Sequence, residues 1–348
     1  MRQAGVRNVE AFTAYQKGLE LYTQAHGKGD QISLLRQANL KFEEALSFAA
    51  DFTDAYIVSS DLYTHILISH ASGELNGNIT QEDLENAPAA IRANYDKALQ
   101  FTKDNMQRAV VEFDRSLLLG EWRGLAMRND LALSAPGCQI ALWPQLVSGA
   151  FGRAQSLFDA YERVAICDPM RSRSWIHMVH ASLWLGQPEQ AIQIAESSLK
   201  STQHDWVIGT YILALSAAGR TEDANKAAST GLRSESNMLI TKSLLAAMNG
   251  EKAVARDWQE HYLNTYGPDD LNSLMMEATQ GNRHEANRLA GLIDRRTSGY
   301  LALMQIIYLC HCGAPFDLES TPVFASMLAE SGLPWPPAKP IDFPLKNW

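Results

Sequence analysis

Cys310, His311 and Cys312 follow one another near the end of the 348-residue chain, and thiolate and imidazole groups in such company are zinc ligands. Residues two apart on a helix point about 200° away from each other, so both sulfurs cannot readily grip one ion there. No CxxC or HxxxH supplies the remaining ligands of a tetrahedral site, and two small buried thiols on a packed helix are the expectation. His177 and His180, one helical turn apart, stand close to Trp175 and Trp184 and just after Arg171 and Arg173. Facing a groove, they would meet an acidic or aromatic ligand group; packed between helices, they would be an ordinary contact with solvated arginines. Arg295, Arg296 and Lys339 could attract an anion, though cations at helix ends are the simpler reading. No GxxxxGK, GxGxxG, GxSxG or HExxH is present, so nothing points to catalysis or to a cofactor.

The elements that would position these groups are helical. Six prolines lie in residues 1–314 and seven in the last 34, which leaves a long body compatible with helix and a tail that is not. The formal net charge is −9, opposite in sign to the basic surplus a nucleic-acid binder usually carries, so no direct nucleic-acid binding is expected. The opening MRQAGVRNVE has no apolar core of a secretory signal, and the most apolar stretch, Tyr300–Cys310, falls short of the roughly 18 residues that suggest a membrane span. Cytoplasmic location, no membrane and reduced cysteines at 138, 167, 310 and 312 are the expectations.

Glycines recur at 120, 152, 186, 219, 250, 281 and 313, in steps of 31 to 34 residues. Five residues after each stands Leu125, Leu157, Ala191, Ala224, Ala255, Ala286 or Leu318. Before Gly186, residues Trp175, Met178, Val179, Ser182 and Leu185 hold helical spacing; after it, Pro188 and Glu189 suit a first helical turn. A glycine at such a stop supplies φ > 0, and the small residue beyond lets two antiparallel helices approach. Each unit is therefore a helix–turn–helix hairpin, and stacked hairpins make a solenoid.

These units resemble the tetratricopeptide repeat. The match is clearest at Tyr161, Asp168 and Pro169 followed by Trp175, Gly186 and Ala191, with Ala38, Phe42, Ala45, Tyr56 and Tyr63 upstream, and Ile91, Tyr95, Ala98 and Leu99 between. The resemblance implies an all-α, right-handed solenoid of about nine hairpins over residues 8–331, with an extended proline-rich tail. It divides into hairpins at 1–71, a loop insertion at 72–88 in which Thr80 and Asp83 resemble a capping box, the main solenoid with its cap at 89–331, and the tail at 332–348. RNVEAFTAYQKGLELY and TPVFASMLAESGLPW are similar to the two ends of the repeat region that follows winged-helix or class III cyclase domains in bacterial regulators. The implied role is a non-catalytic partner-binding or sensing module of a signalling or transcription system.

In the resembled family two positions of each first helix line the concave groove. Here they are Leu142 and Leu146, Ile176 and His180, Gly209 and Leu213, Ile240 and Leu244, Leu271 and Met275, and Leu303 and Ile307. With His177 beside His180, this stripe is the candidate partner-binding surface. So apolar a surface either docks an amphipathic helix or apolar peptide, or is closed by tight winding into a pocket for a small molecule.

Overall fold

The computed structural model describes residues 8–26, 30–74, 78–138, 140–167, 172–200, 205–268 and 270–339. Among these residues nine hairpins follow one another: α1 (Val9–Ala25) with α2 (Gln31–Phe48), α3 (Thr53–Ser72) with α4 (Gln81–Phe101), and α5 (Asn105–Leu118) with α6 (Leu125–Leu133). Next come α7 (Gln145–Ser148), extended by a π-helical turn to Arg153, with α8 (Ala154–Cys167), then α9 (Ser172–Trp184) with α10 (Pro188–Leu199) and α11 (Asp205–Ala217) with α12 (Thr221–Gly231). The last three are α13 (Glu235–Met248) with α14 (Lys252–Tyr266), α15 (Leu271–Thr279) with α16 (Arg283–Asp294), and α17 (Gly299–Cys310) with α18 (Pro322–Ser331). This is an α-solenoid. Among the described residues no helix is long and apolar enough to cross a membrane.

The glycine register holds in three dimensions. All seven repeat glycines have φ between 70 and 84°. At Gly219 the stop is a Schellman turn, in which the glycine N–H donates to Ser216 O at 3.0 Å and Arg220 N–H to Leu215 O at 2.9 Å. The residues five positions on are fully buried at Leu125, Leu157, Ala191, Ala224, Ala255 and Ala286. Pro188 begins α10 and Thr80 caps α4 in a complete capping box with Asp83. Helix α4 begins at Gln81, where the capping box places a helix start, and Pro88 lies inside it, which tolerates the missing N–H of one proline. The second hairpin, α3 with α4, therefore spans the division expected at 71 and 89.

The solenoid closes on itself. Helix α17 packs against α3 and α7 as well as its sequence neighbour α16. Arg296 Nη1 donates to Ala71 O at 3.0 Å, Tyr300 Oη to Leu118 O at 2.8 Å, and Trp184 Nε1 to Tyr308 O at 3.2 Å. Trp122 meets Tyr300 and Phe324 edge-on, so the ninth hairpin sits on the third. One core cluster consequently joins α1–α7 to α15–α18. The tail runs over this junction: Trp335 rests near Phe316 and Phe324, and Ala338 N donates to Ala150 O at 2.8 Å.

All four cysteines are paired, which corrects the expectation of free thiols. Cys138 and Cys167 join the loop after α6 to the end of α8 with Cα atoms 5.8 Å apart; Cys310 and Cys312 bond at the end of α17 with Cα atoms 5.1 Å apart. The argument for separated sulfurs assumed that the helix continues. It stops at Cys310, because His311 takes a left-handed conformation (φ 51°) and turns Cys312 back. Disulfides of this kind also withdraw the free-thiol argument for a reducing compartment.

Gly219 and Gly209 give a matched test. A Cβ meets nothing within 4 Å at either, but Gly219 has φ 74° while Gly209 lies within α11. Urea denaturation should show Gly219→Val destabilised by more than about 1 kcal/mol, whereas Gly209→Ala should be neutral or gain up to about 1 kcal/mol.

Candidate functional site

The winding leaves the expected groove as a half-open cleft of about 350 Å³, within the roughly 300–1,000 Å³ of small-molecule sites. Of the ten candidate residues, Leu146, Ile176, His177, His180, Leu213, Ile240, Leu244 and Met275 line it. Leu142 and Leu271, exposed by 4% and 7%, pack in the surrounding core instead, and Leu303 and Ile307 are buried there with them. Leu213, Leu244, Met248 and Met275 give the lining its apolar part, with Asp205, Asn237, Thr241 and Asn272 also on the wall. His26, His65, Trp143, Gln145, Arg173, His177 and Tyr308 make one end polar, and Trp206, 47% exposed, stands at the rim.

The polar end has a readable proton inventory. Arg173 Nε donates to His177 Nε2 at 3.4 Å, so His177 carries its proton on Nδ1 and gives it to Tyr308 Oη at 2.8 Å. One turn on, His311 Nδ1 donates to Leu309 O at 3.0 Å, which leaves its Nε2 to accept from His180 Nδ1 at 3.3 Å. The two rings stack with centroids 5.2 Å apart. Burial holds the His180 imidazole well below its ordinary range and brings His311 down to about 3, so both rings are neutral.

Arg173 is half-buried, its Nη1 reaching Tyr22 Oη at 3.4 Å and its guanidinium lying 5.6 Å from the Trp143 ring centre. It forms no ion pair with a carboxylate among the described residues. Trp143 Nε1, also buried, has no acceptor among them. The backbone at this corner is fixed by Asp114 at the base of α5's inner face, which accepts from Leu142 N at 2.6 Å and Trp143 N at 3.1 Å. Burial pushes Asp114 up to about 7 against the pull of those amides.

A third cluster flanks the same end. Asp61 and His65 are one turn apart on α3, and His26 follows α1. Burial alone would raise the Asp61 carboxyl, but the facing His65 and His26 imidazoles hold it well below the usual carboxylate range, while burial lowers His65. None of these three was singled out from sequence. An Asp and a His four residues apart within SSDLYTHILISH was the available signal.

Other candidates lie elsewhere. Arg295 caps α16 and Arg296 reaches across to Ala71, as helix-end cations do; Lys339 lies in the tail; Arg171, Asp168 and Pro169 fall outside the described residues. A polar depression of about 470 Å³ between α14 and the end of α15 with its following turn is lined by groups already bonded to one another: Gln259 Nε2 donates to Glu277 Oε1 at 2.7 Å and Asn282 Nδ2 to Glu277 Oε2 at 2.8 Å.

The fold and cavity define an α-solenoid with a half-open, small-molecule-sized space on its inner face. No family model matches the sequence, and no curated protein matches it. Among solved structures the chain is similar to pilF of Pseudomonas aeruginosa, at 16% identity over 77% of this chain and 97% of that one, with a TM-score of 0.37. It is also similar to the TPR domain of P58(IPK), at 14% identity over 93% and 99%, with a TM-score of 0.24. The solenoid assignment rests on this chain's own hairpins.

Because His311 is neutral in the fold at pH values where the unfolded chain protonates it, the unfolded state binds more protons between about pH 6.5 and 3. Stability should fall with pH across that window, by up to about 1.4 kcal/mol per unit for this ring. His311→Asn, which keeps a residue suited to φ > 0, should flatten the slope measured by denaturation between pH 7 and 5. Parallel wild-type and variant slopes would show that His311 is already charged.

Proposed function

We propose that this chain is a non-catalytic ligand-sensing module whose cavity takes a small amphipathic anion, a carboxylate on a hydrocarbon body. The observation that carries the reading is the buried Trp143 Nε1, which has no acceptor among the described residues, beside the Arg173 guanidinium, which makes no ion pair with a carboxylate among them, in a cavity also lined by Leu213, Leu244 and Met275. A buried donor without an acceptor costs about 1–3 kcal/mol, and a guanidinium fork matches a carboxylate with two parallel bonds. The apolar wall adds roughly 25 cal/mol for each Å² of ligand hydrocarbon it removes from water.

Protein contact belongs, in this reading, to the outer face. Met127 and Leu131, one turn apart on α6, are 72% and 49% exposed, and Ile166 on α8 is 75% exposed. A scaffold that binds a protein there and a small molecule inside suits a bacterial signalling or transcription-regulating system, in which ligand would bias how the hairpins present that face. An amphipathic helix docked in the interior is the less favoured alternative, because α17 of the chain itself fills the place such a helix would take.

Sodium octanoate and 1-octanol share a hydrocarbon body and differ in charge. Octanoate should raise the melting temperature of the whole chain more than octanol does, and Arg173→Gln should remove that difference while leaving the far-ultraviolet helical signal intact. Equal shifts for both compounds, or for both proteins, would overturn the carboxylate reading.

A further inference from the structure

We propose that His26, Asp61 and His65 form a site for a divalent transition-metal ion of the zinc class, with an open coordination position toward the cavity. The three ligand atoms form a small triangle. His26 Nε2 lies 3.1 Å from Asp61 Oδ2, His65 Nε2 lies 3.4 Å from the same oxygen, and the two imidazole nitrogens are 3.2 Å apart. A tetrahedral ion with bonds of about 2.0–2.1 Å sets its ligands about 3.3–3.4 Å from one another, so the triangle is close to one face of such a shell. Two imidazoles and one carboxylate are also donors that suit zinc, iron or cobalt rather than calcium or magnesium.

Hydrogen-bond capacity supplies an independent argument. His26 Nδ1 lies 2.8 Å from Tyr22 O, which accepts its proton. That bond orients the ring and leaves a bare lone pair on Nε2, as at most histidines that ligate metals. The lone pair faces a carboxylate oxygen at 3.1 Å, and two such atoms repel unless a proton or a cation lies between them. Asp61 is fully buried, and neither of its oxygens accepts a hydrogen bond of good geometry among the described residues. A single proton on one corner serves the two edges that meet there and leaves the third with facing lone pairs, and Gln31 Nε2 lies 3.5 Å from His65 Nε2. An ion satisfies all three at once and neutralises the buried Asp61 charge.

The scaffold fits the demand. Asp61 and His65 project from one face of α3, held by burial on a helix that packs against α17, and His26 closes the set from the end of α1. His26 and His65 line the cavity whereas Asp61 does not, so the unfilled side of the triangle is the cavity side. Water, or an oxygen of a molecule in the cavity, would complete the shell. The site stands on its own geometry and is tested without any cavity ligand.

The full chain, stripped with a chelator and dialysed, should be titrated with Co²⁺, whose visible absorption reports four- or five-coordination, and then with Zn²⁺ in competition. One equivalent of Co²⁺ should bind with that absorption and be displaced by Zn²⁺. His26→Gln, at the partly exposed corner, and Asp61→Asn should each weaken binding by more than the roughly 10–100-fold that loss of a ligand's hydrogen-bond partner costs. His180→Gln, whose ring belongs to the other histidine pair, should bind as the wild type does. Absence of stoichiometric binding, or equal binding by the His26→Gln variant, would overturn the proposal and show a proton-bridged cluster instead. Because no octanoate is present, failure here leaves the carboxylate reading standing, and the reverse also holds.

Discussion

Helix α17 is apolar on every side, and the rest of the molecule is arranged to bury it. Leu301, Ala302, Leu303, Met304, Ile306, Ile307 and Tyr308 are exposed by 3% or less, which a helix reaches only when elements surround it. A nine-hairpin solenoid has a terminal unit with an unsatisfied face, and repeat proteins usually cover it with a polar cap. Here α17 turns inward to α3 and α7, so the end of the chain is capped by its own earlier hairpins. The ring closure, the buried histidine pair at its tip and the cavity beside it all follow from that seat.

Closure also explains why polar groups accumulate on one side of the cavity. Drawing α1, α3, α9 and α17 together brings His26, Asp61, His65, Arg173, His177, His180 and Tyr308 out of water, and each then needs a partner of its own. The imidazole–phenol and imidazole–imidazole bonds satisfy His177, Tyr308, His180 and His311. Trp143 Nε1 and the Asp61 oxygens are left with hydrogen-bonding capacity that the described residues do not meet. Such residual capacity inside a stable fold is the signature of a site completed by a ligand or an ion.

The hairpins from Gly120 onward were legible because of local chemistry: seven glycines with φ > 0 at regular steps, a small residue five positions on at Ala191, Ala224, Ala255 and Ala286, and a proline or acid in the first turn of α10, α12 and α16. The inner stripe was legible as well, since eight of the ten residues assigned to it line one space. Whether that space is an open groove or a closed cavity was not, because apolar inner positions serve both and closure depends on small rotations summed over many repeats. The Cys310–Cys312 pair was missed because the left-handed turn at His311 ends a helix that the apolar run Tyr300–Cys310 gives no reason to stop. The His26, Asp61 and His65 triangle was missed because its corners come from helices 39 residues apart in sequence, although Asp61 and His65 share a visible four-residue spacing.

Native-state hydrogen exchange tests the seat of α17 most directly. If α17 is enclosed by α3, α7 and α16, amides from Leu303 to Tyr308 open only with global unfolding and exchange among the slowest in the chain, far behind those of α12, where only Ala224 and Ala228 are buried. Exchange of α17 at the rate of α12 would mean that the ring is open, that the apolar stripe faces solvent, and that the cavity does not exist as described.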